Sequence, residues 1–222
     1  MRYSLIKRAF FLFIPVASAL FVISSCKKML DVQPEDVLTP ENMYRNNFDA
    51  DAAVIGIYGR YIRLAEQYTL LNDLRADLLE PTANADDNII QLSNHTVRPD
   101  NPYASPKPFY ELILSCNDAL DNFKKMLAGK KFTEDEYNQR YSDIMTVRSW
   151  LYLQLGIHFG SVPYVVNPLA HIDDVRNTSQ FERITFPSLL DSLVNAMKSI
   201  PFKEEYTSTS TLRTPIDGFP TH

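Results

Sequence analysis

The chain has 222 residues, 45% hydrophobic and 22% charged, with a formal net charge of −5, a balance that argues against nucleic acid as a partner. Two cysteines, Cys26 and Cys116, are too few for a disulfide framework. With 14 prolines, only 6 glycines and this apolar content, the composition argues against a disordered chain and suffices for one domain with a sizeable core.

Residues 1–25 fall into three zones: a basic Met1 to Arg8, an apolar Ala9 to Ile23, and the small pair Ser24-Ser25. This is the pattern of an export signal. The apolar run has 15 residues and contains Pro15, whereas a membrane-spanning helix needs about 20. Ile23-Ser24-Ser25-Cys26 resembles the lipobox of bacterial lipoproteins, which implies lipidation at Cys26: the thiol takes a diacylglycerol group, and cleavage frees the amine for a further acyl chain. One acyl chain binds membrane only marginally, near about 10⁴ M⁻¹, while two or three anchor stably. The implied mature protein is tethered to a membrane through acyl chains on Cys26. Lys27 and Lys28 follow the cysteine where aspartate favours inner-membrane retention, which points to outer-membrane sorting. Cleavage removes Arg2, Lys7 and Arg8 and no acidic residue, taking the charge from −5 to −8.

Residues 26–40 read as an extended tether containing Pro34 and Pro40. Glu41 to Gln67 reads as an amphipathic helix with Phe48, Ile55, Tyr58 and Ile62 on its apolar face and Val54, Ile57, Tyr61 and Ala65 beside them. Gly56 and Gly59, at i and i+3, suggest close packing there. Tyr68 to Leu79 reads as a shorter helix ended by Pro81. Thr82 to Pro108, rich in proline, carries Asp86-Asp87 and shows no sustained periodicity, so it reads as a long loop. Loops of this length are often functional. His95, Asn101 and Tyr103 on it are candidate ligand-binding residues, able to hydrogen-bond or stack on a sugar ring.

Phe109 to Gly129 shows a helical stripe at Ile113, Cys116, Leu120, Phe123 and Leu127 with Gly129 as its C-terminal cap. Cys116 on that stripe reads as a core residue. Thr133 to Val166 is the longest element: Thr133 and Glu136 have capping-box spacing, and apolar residues follow at Tyr137, Tyr141, Ile144, Leu151 and Leu155. Met145, Tyr152 and Phe159 widen this face until it needs several partners. Gly160 and Pro163 fix its exit. Asn167 to Phe181 is a connector whose His171 and Asp173-Asp174 read as solvated. Thr185 to Ile200 is the last helix, with Leu189, Leu190, Leu193, Val194, Met197 and Ile200 on one side and Pro201 as its stop. Residues 207–222 are rich in Thr, Ser and Pro, without periodicity.

No phosphate loop, His-Glu-x-x-His, Gly-x-Ser-x-Gly or metal-spaced cysteine pair occurs, so no enzyme, cofactor or metal site is indicated. The acidic pairs lie in polar stretches and read as solvated surface, not as the two carboxylates of a glycosidase. His158, near a helix end, reads as a packed or dipole-compensating residue.

Four segments together resemble the SusD/RagB family of outer-membrane nutrient-uptake lipoproteins: Ser25-Cys26 with Met29 to Pro34; Phe109-Tyr110 with Ser115-Cys116-Asn117-Asp118; Arg148 to Tyr152 through Phe159 to Val165; and Asp191-Ser192-Leu193 to Ile200-Pro201. The resemblance implies an all-α fold, an irregular helical array with tetratricopeptide-like helix pairs over 41–222. It implies a cell-surface protein that binds glycan or another oligomeric nutrient and caps a TonB-dependent outer-membrane barrel. Arg148 matches a family arginine, for which a structural role on a buried carboxylate or on backbone carbonyls is expected. Where the family has Gly-Glu-Ala this chain has Ser142-Asp143-Ile144, and family chains are more than twice this length, which suggests an amino-terminal portion. The alternatives are a helical interaction scaffold without a ligand, or an inactive fragment.

Overall fold

Capping chemistry fixes the central helix. Thr133 Oγ1 accepts the Glu136 N–H at 3.2 Å, and the Glu136 carboxylate accepts the Thr133 N–H at 2.8 Å, closing the box predicted from the sequence. Helix Glu134–Phe159 then runs for 26 residues to Gly160, whose φ of 71° is the left-handed conformation that glycine adopts without steric cost. In the computed structural model, which describes residues 43–169 and 171–200, this helix is α5 of an all-α fold. The leader 1–25, Cys26 and the tether 26–40, and the stretch 201–222, lie outside the described residues.

Before α5 come α1 (Asn47–Arg63), α2 (Ala65–Thr69), α3 (Asp87–Ser93) and α4 (Lys107–Ala128). After it come α6 (Ile172–Arg176) and α7 (Phe186–Met197). One antiparallel ribbon pairs β1 (Val162–Pro163) with β2 (Arg183–Ile184), Val162 opposite Ile184. The broad face of α5 is covered by α1, α4 and α7 together, which bury Ile144, Met145, Val147, Leu151, Tyr152 and Leu155. Trp150 packs edge-on between Tyr61 at 4.9 Å and Tyr68 at 5.0 Å, tying α5 to the α1–α2 segment.

Several expectations are corrected here. Among the described residues, the helix expected over Glu41 to Gln67 begins at the Asn46 cap after a bend at Tyr44 to Asn46, and it buries Ala50, Val54 and Ile57. Phe48, Ile55 and Ile62, expected on the apolar face, are 84%, 64% and 67% exposed. The two stripes are similarly apolar, and packing against α4 and α5 selects between them. Gly56 and Gly59 do not serve close packing within the described residues, because a Cβ on either meets open space. The segment after Tyr68 is a single wide helical turn, Leu70–Leu74, and the chain leaves helix well before Pro81.

Thr82 to Pro108 is not an unstructured loop. Asp86 Oδ1 accepts the N–H groups of Asn88 and Ile89, each at 2.9 Å, and starts α3, whose Leu92 is fully buried. A 3₁₀ turn, Pro102–Ala104, follows. At the end of α4, Gly129 is the cap with φ −79°, and the left-handed turn falls on Lys130 with φ 56°. Cys116 is buried in the core, and burial pushes its thiol up to about 12, so it is an inert apolar group at neutral pH.

The connector carrying His171 is partly helical. Asp174 accepts the His171 N–H at 2.7 Å and Asp173 pairs with Arg176 at 2.6 Å, so both carboxylates serve α6 locally. α7 starts where predicted, with Thr185 Oγ1 accepting the Ser188 N–H at 3.4 Å. Its stripe is only half used. Leu189 and Leu193 are buried, while Leu190, Val194 and Met197 stand 37%, 58% and 38% exposed beside an apolar groove of about 590 Å³ between α5 and α7.

The α5–α7 contact depends on Gly156, where an added Cβ would overlap the Phe186 ring and stand 2.8 Å from a Leu189 methyl. Gly156→Ala is expected to lower the unfolding free energy by about 1–3 kcal/mol through overpacking. Gly56→Ala, at an exposed helix position with open space around it, is expected to raise it by about 0.5–1 kcal/mol. Urea denaturation of the two variants checks the opposite signs.

Candidate functional site

Two amide side chains build the turn that presents Tyr103. Asn101 caps the 3₁₀ turn by accepting the Tyr103 N–H at 3.0 Å and donates through Nδ2 to the Asn88 carbonyl at 2.9 Å. From α2, the buried Gln67 donates through Nε2 to the carbonyls of Tyr103 at 2.9 Å and Ser105 at 2.7 Å. Asn101 is 2% exposed and its amide is spent on this scaffold, so its candidacy as a ligand contact is corrected. It positions Tyr103.

Tyr103 is partly exposed, and desolvation, followed by the charges of Glu66 and Asp86, raises its phenol above the ordinary range. Its ring forms part of the wall of a cavity of about 370 Å³, within the size range of small-ligand sites. Arg60 and Arg63 from α1, and Glu66 beside α2's Gln67, line the same cavity, with Glu111 of α4 opposite. Arg60 is held by a 2.6 Å bond to Ser115 Oγ. Guanidinium donors, carboxylate acceptors and an aromatic ring together suit a hydroxyl-rich ligand: the charged groups exchange hydrogen bonds with its hydroxyls and the ring covers an apolar face.

His95 does not line this cavity. It is exposed just beyond α3 with φ 55°, where its backbone completes the helix end as Thr96 N–H reaches the Gln91 carbonyl at 2.9 Å. Of the candidates His95, Asn101 and Tyr103, the cavity thus takes in the Tyr103 ring alone. The arginines escaped the sequence reading, although Arg60 and Arg63 stand at i and i+3 near the end of α1. Cys26 lies outside the described residues.

A second polar cluster lies in the core. Arg148 is 6% exposed, and Nη1 donates to Asn117 Oδ1 at 2.8 Å while Nη2 lies 3.0 Å from the Met145 sulfur. Among the described residues no carboxylate pairs with it, which corrects one of the two expected partners. The carbonyl role passes to Asn117, whose Nδ2 donates to Val165 O at 2.8 Å and Asn167 O at 3.3 Å. Tyr152 donates to Val165 O at 2.6 Å and accepts Val165 N–H at 2.8 Å, and Tyr110 donates to Pro163 O at 2.9 Å. These side chains satisfy the backbone of the chain leaving α5, which no regular ladder could do beyond the two-residue β1. The cluster is structural.

Near the end of α5, His158 stands 3.2 Å from Gln154 Oε1 and packs on Phe159. Burial, with a smaller contribution from Arg75, lowers its imidazole to about 4 from the ordinary 6.5, so it is neutral at pH 7 and packs instead of compensating the helix dipole. A search of protein-family models, characterised proteins and solved structures finds no match to the chain.

Two predictions follow from these contacts. Asn117→Leu strands a buried guanidinium and is expected to cost about 3–5 kcal/mol, whereas adding Arg148→Met to it recovers part of that loss. A double-mutant cycle in denaturant reads both. For His158, the unfolded chain binds more protons than the native one between about pH 4 and 6.5, so stability rises with pH through that window and is flat above it. After allowance for solvent screening of a half-exposed ring, the span is about 1–2 kcal/mol. His158→Gln should remove this part of the slope in thermal melts taken from pH 4 to 7.

Proposed function

We propose that this chain belongs to a lipid-anchored, cell-surface protein that binds oligosaccharide and partners a TonB-dependent outer-membrane transporter in nutrient uptake, as the SusD/RagB resemblance implies. The observation that carries this reading is a convergence. Two of the four segments that resemble the family, Phe109 to Asp118 and Arg148 to Val165, meet in one buried hydrogen-bonded cluster through Tyr110, Asn117, Arg148 and Tyr152. Residues that share a structural task of this kind belong together as a set, which supports reading these two segments as one pattern and not as separate coincidences.

The binding part of the proposal rests on the Tyr103 cavity. The Tyr103 backbone is held by Gln67 at its carbonyl and by Asn101 at its N–H, so the turn that carries the ring needs little ordering when a sugar binds. Arg63, Glu66 and Glu111 surround it with donors and acceptors. A pure scaffold, binding other proteins and no sugar, is the second reading, favoured by the uncovered apolar groove between α5 and α7.

Calorimetric titration of the full-length chain with a panel of neutral oligosaccharides separates the two. Tyr103→Ala is expected to weaken binding about tenfold or more, equivalent to about 1.4 kcal/mol, while His95→Ala changes it less than about twofold. Binding to no member of the panel, together with no barrel protein copurifying from outer membranes, would sink the proposal. Retention of sugar binding in Tyr103→Ala would move the site elsewhere.

A further inference from the structure

The outward face of α1 carries a second apolar stripe. Phe48, Ile55 and Ile62 stand at seven-residue intervals, largely exposed, and Ala52 and Gly59 fill the positions between them. The steps along the helix are therefore four, three, four and three residues, the spacing of a coiled-coil seam. Every member of the set is exposed in the described fold. Glycine is unfavourable inside a helix, and Gly56 and Gly59 meet nothing of their own chain within 4 Å of an added Cβ. Two glycines on an exposed apolar face suit close approach by something from outside.

We propose that this face pairs, antiparallel, with the same face of a second copy of the chain, about a two-fold axis level with Ile57. In an antiparallel seam each core position packs against the alternate core position of the other helix. Setting Ile62 on the partner's Ala52 sets Ile55 on the partner's Gly59, and the two-fold axis repeats both contacts. Every isoleucine then meets a small residue. A parallel pair in register stacks isoleucine on isoleucine and glycine on glycine, alternately crowding and emptying the seam, which close packing disfavours.

Charge selects the same direction. α1 is acidic in its first turn at Asp49 and basic in its last at Arg60 and Arg63. In the register just given, Asp49 lies beside the partner's Arg63 at both ends, whereas a parallel pair sets like charges together. Asp49 meets Arg45 of its own chain at 3.0 Å in an exposed pair, and contacts of that kind are weak enough to be shared or exchanged. The seam is short. A 17-residue helix is about 25 Å long, and one helix pair of that length buries well under about 1,200 Å² in total, the range of weak, concentration-dependent association. The inference does not rest on the oligosaccharide reading, although Arg63 lines the Tyr103 cavity as well as flanking this seam.

Sedimentation equilibrium of the full chain, from about 10 μM to 1 mM in line with that interface class, tests it. The average mass should climb toward twice the monomer across this range. Ile55→Glu should weaken association at least tenfold. Arg63→Glu alone should weaken it several-fold, and combining it with Asp49→Arg should restore it. Ile55 and Arg63 are exposed and Asp49 is partly so, and circular dichroism should show unchanged helix content. A chain that stays monomeric at 1 mM, association that persists in Ile55→Glu, or a charge swap that fails to restore it would each overturn the proposal. So would protection of residues 48–62 from hydrogen exchange only when another outer-membrane protein is present.

Discussion

A charged guanidinium buried with no carboxylate paired to it among the described residues is the constraint on which the frame depends. Desolvating the Arg148 guanidinium is costly, so its neighbours must supply oriented oxygen. Asn117 does this with its carbonyl oxygen and turns its amide nitrogen to the backbone beyond α5. Tyr152 and Tyr110 complete the set from α5 and α4, each bonding the same exit strand. The arginine thus couples two helices to a stretch of irregular chain. Removing one member exposes the others' unmet polarity, and for that reason such clusters specify one arrangement more sharply than apolar packing does.

Everything else mounts on the α4–α5 frame through side-chain amides and aromatic edges. Gln67 and Asn101 pin the Tyr103 turn, and Asn72 donates to Gln154 of α5 at 3.1 Å. Trp150 receives Tyr61 and Tyr68 edge-on. An amide that both donates and accepts can fix a turn lacking a regular hydrogen-bond ladder, so the segment from α2 to α4 holds its shape with little secondary structure. The cavity lies where that segment meets the end of α1, and its polar rim comes from helix positions that the core had no use for.

Among the described residues, two apolar surfaces stand out as uncovered. The groove between α5 and α7 is lined by Trp150, Leu153, Leu190 and Val194, and the outer stripe of α1 by Phe48, Ile55 and Ile62. They differ in kind. The groove is a gap between two helices that large side chains could fill, whereas the stripe is a ridge with glycine notches that fits another ridge. Exposed apolar surface of this extent marks contact sites more often than idle surface.

The sequence alone determined the elements whose signals are local. Thr133 with Glu136, Gly160 and Pro163 define α5 because caps act within one turn, and Thr185 starts α7 for the same reason. The all-α class and the burial of Cys116 were equally legible, since both follow from periodic apolar spacing. Asp86 was a readable cap that the surrounding prolines obscured. Tertiary structure decided which of two apolar stripes on α1 turns inward, because Val54 and Ile55 differ little in hydrophobicity and only the shape of α4 and α5 separates them. It also decided that Asn101 is a buried staple while Tyr103 lines a cavity with Arg60 and Arg63. Side chains two residues apart in a turn point to different places, and where they point depends on Gln67 and Asn88, which no local pattern connects to them.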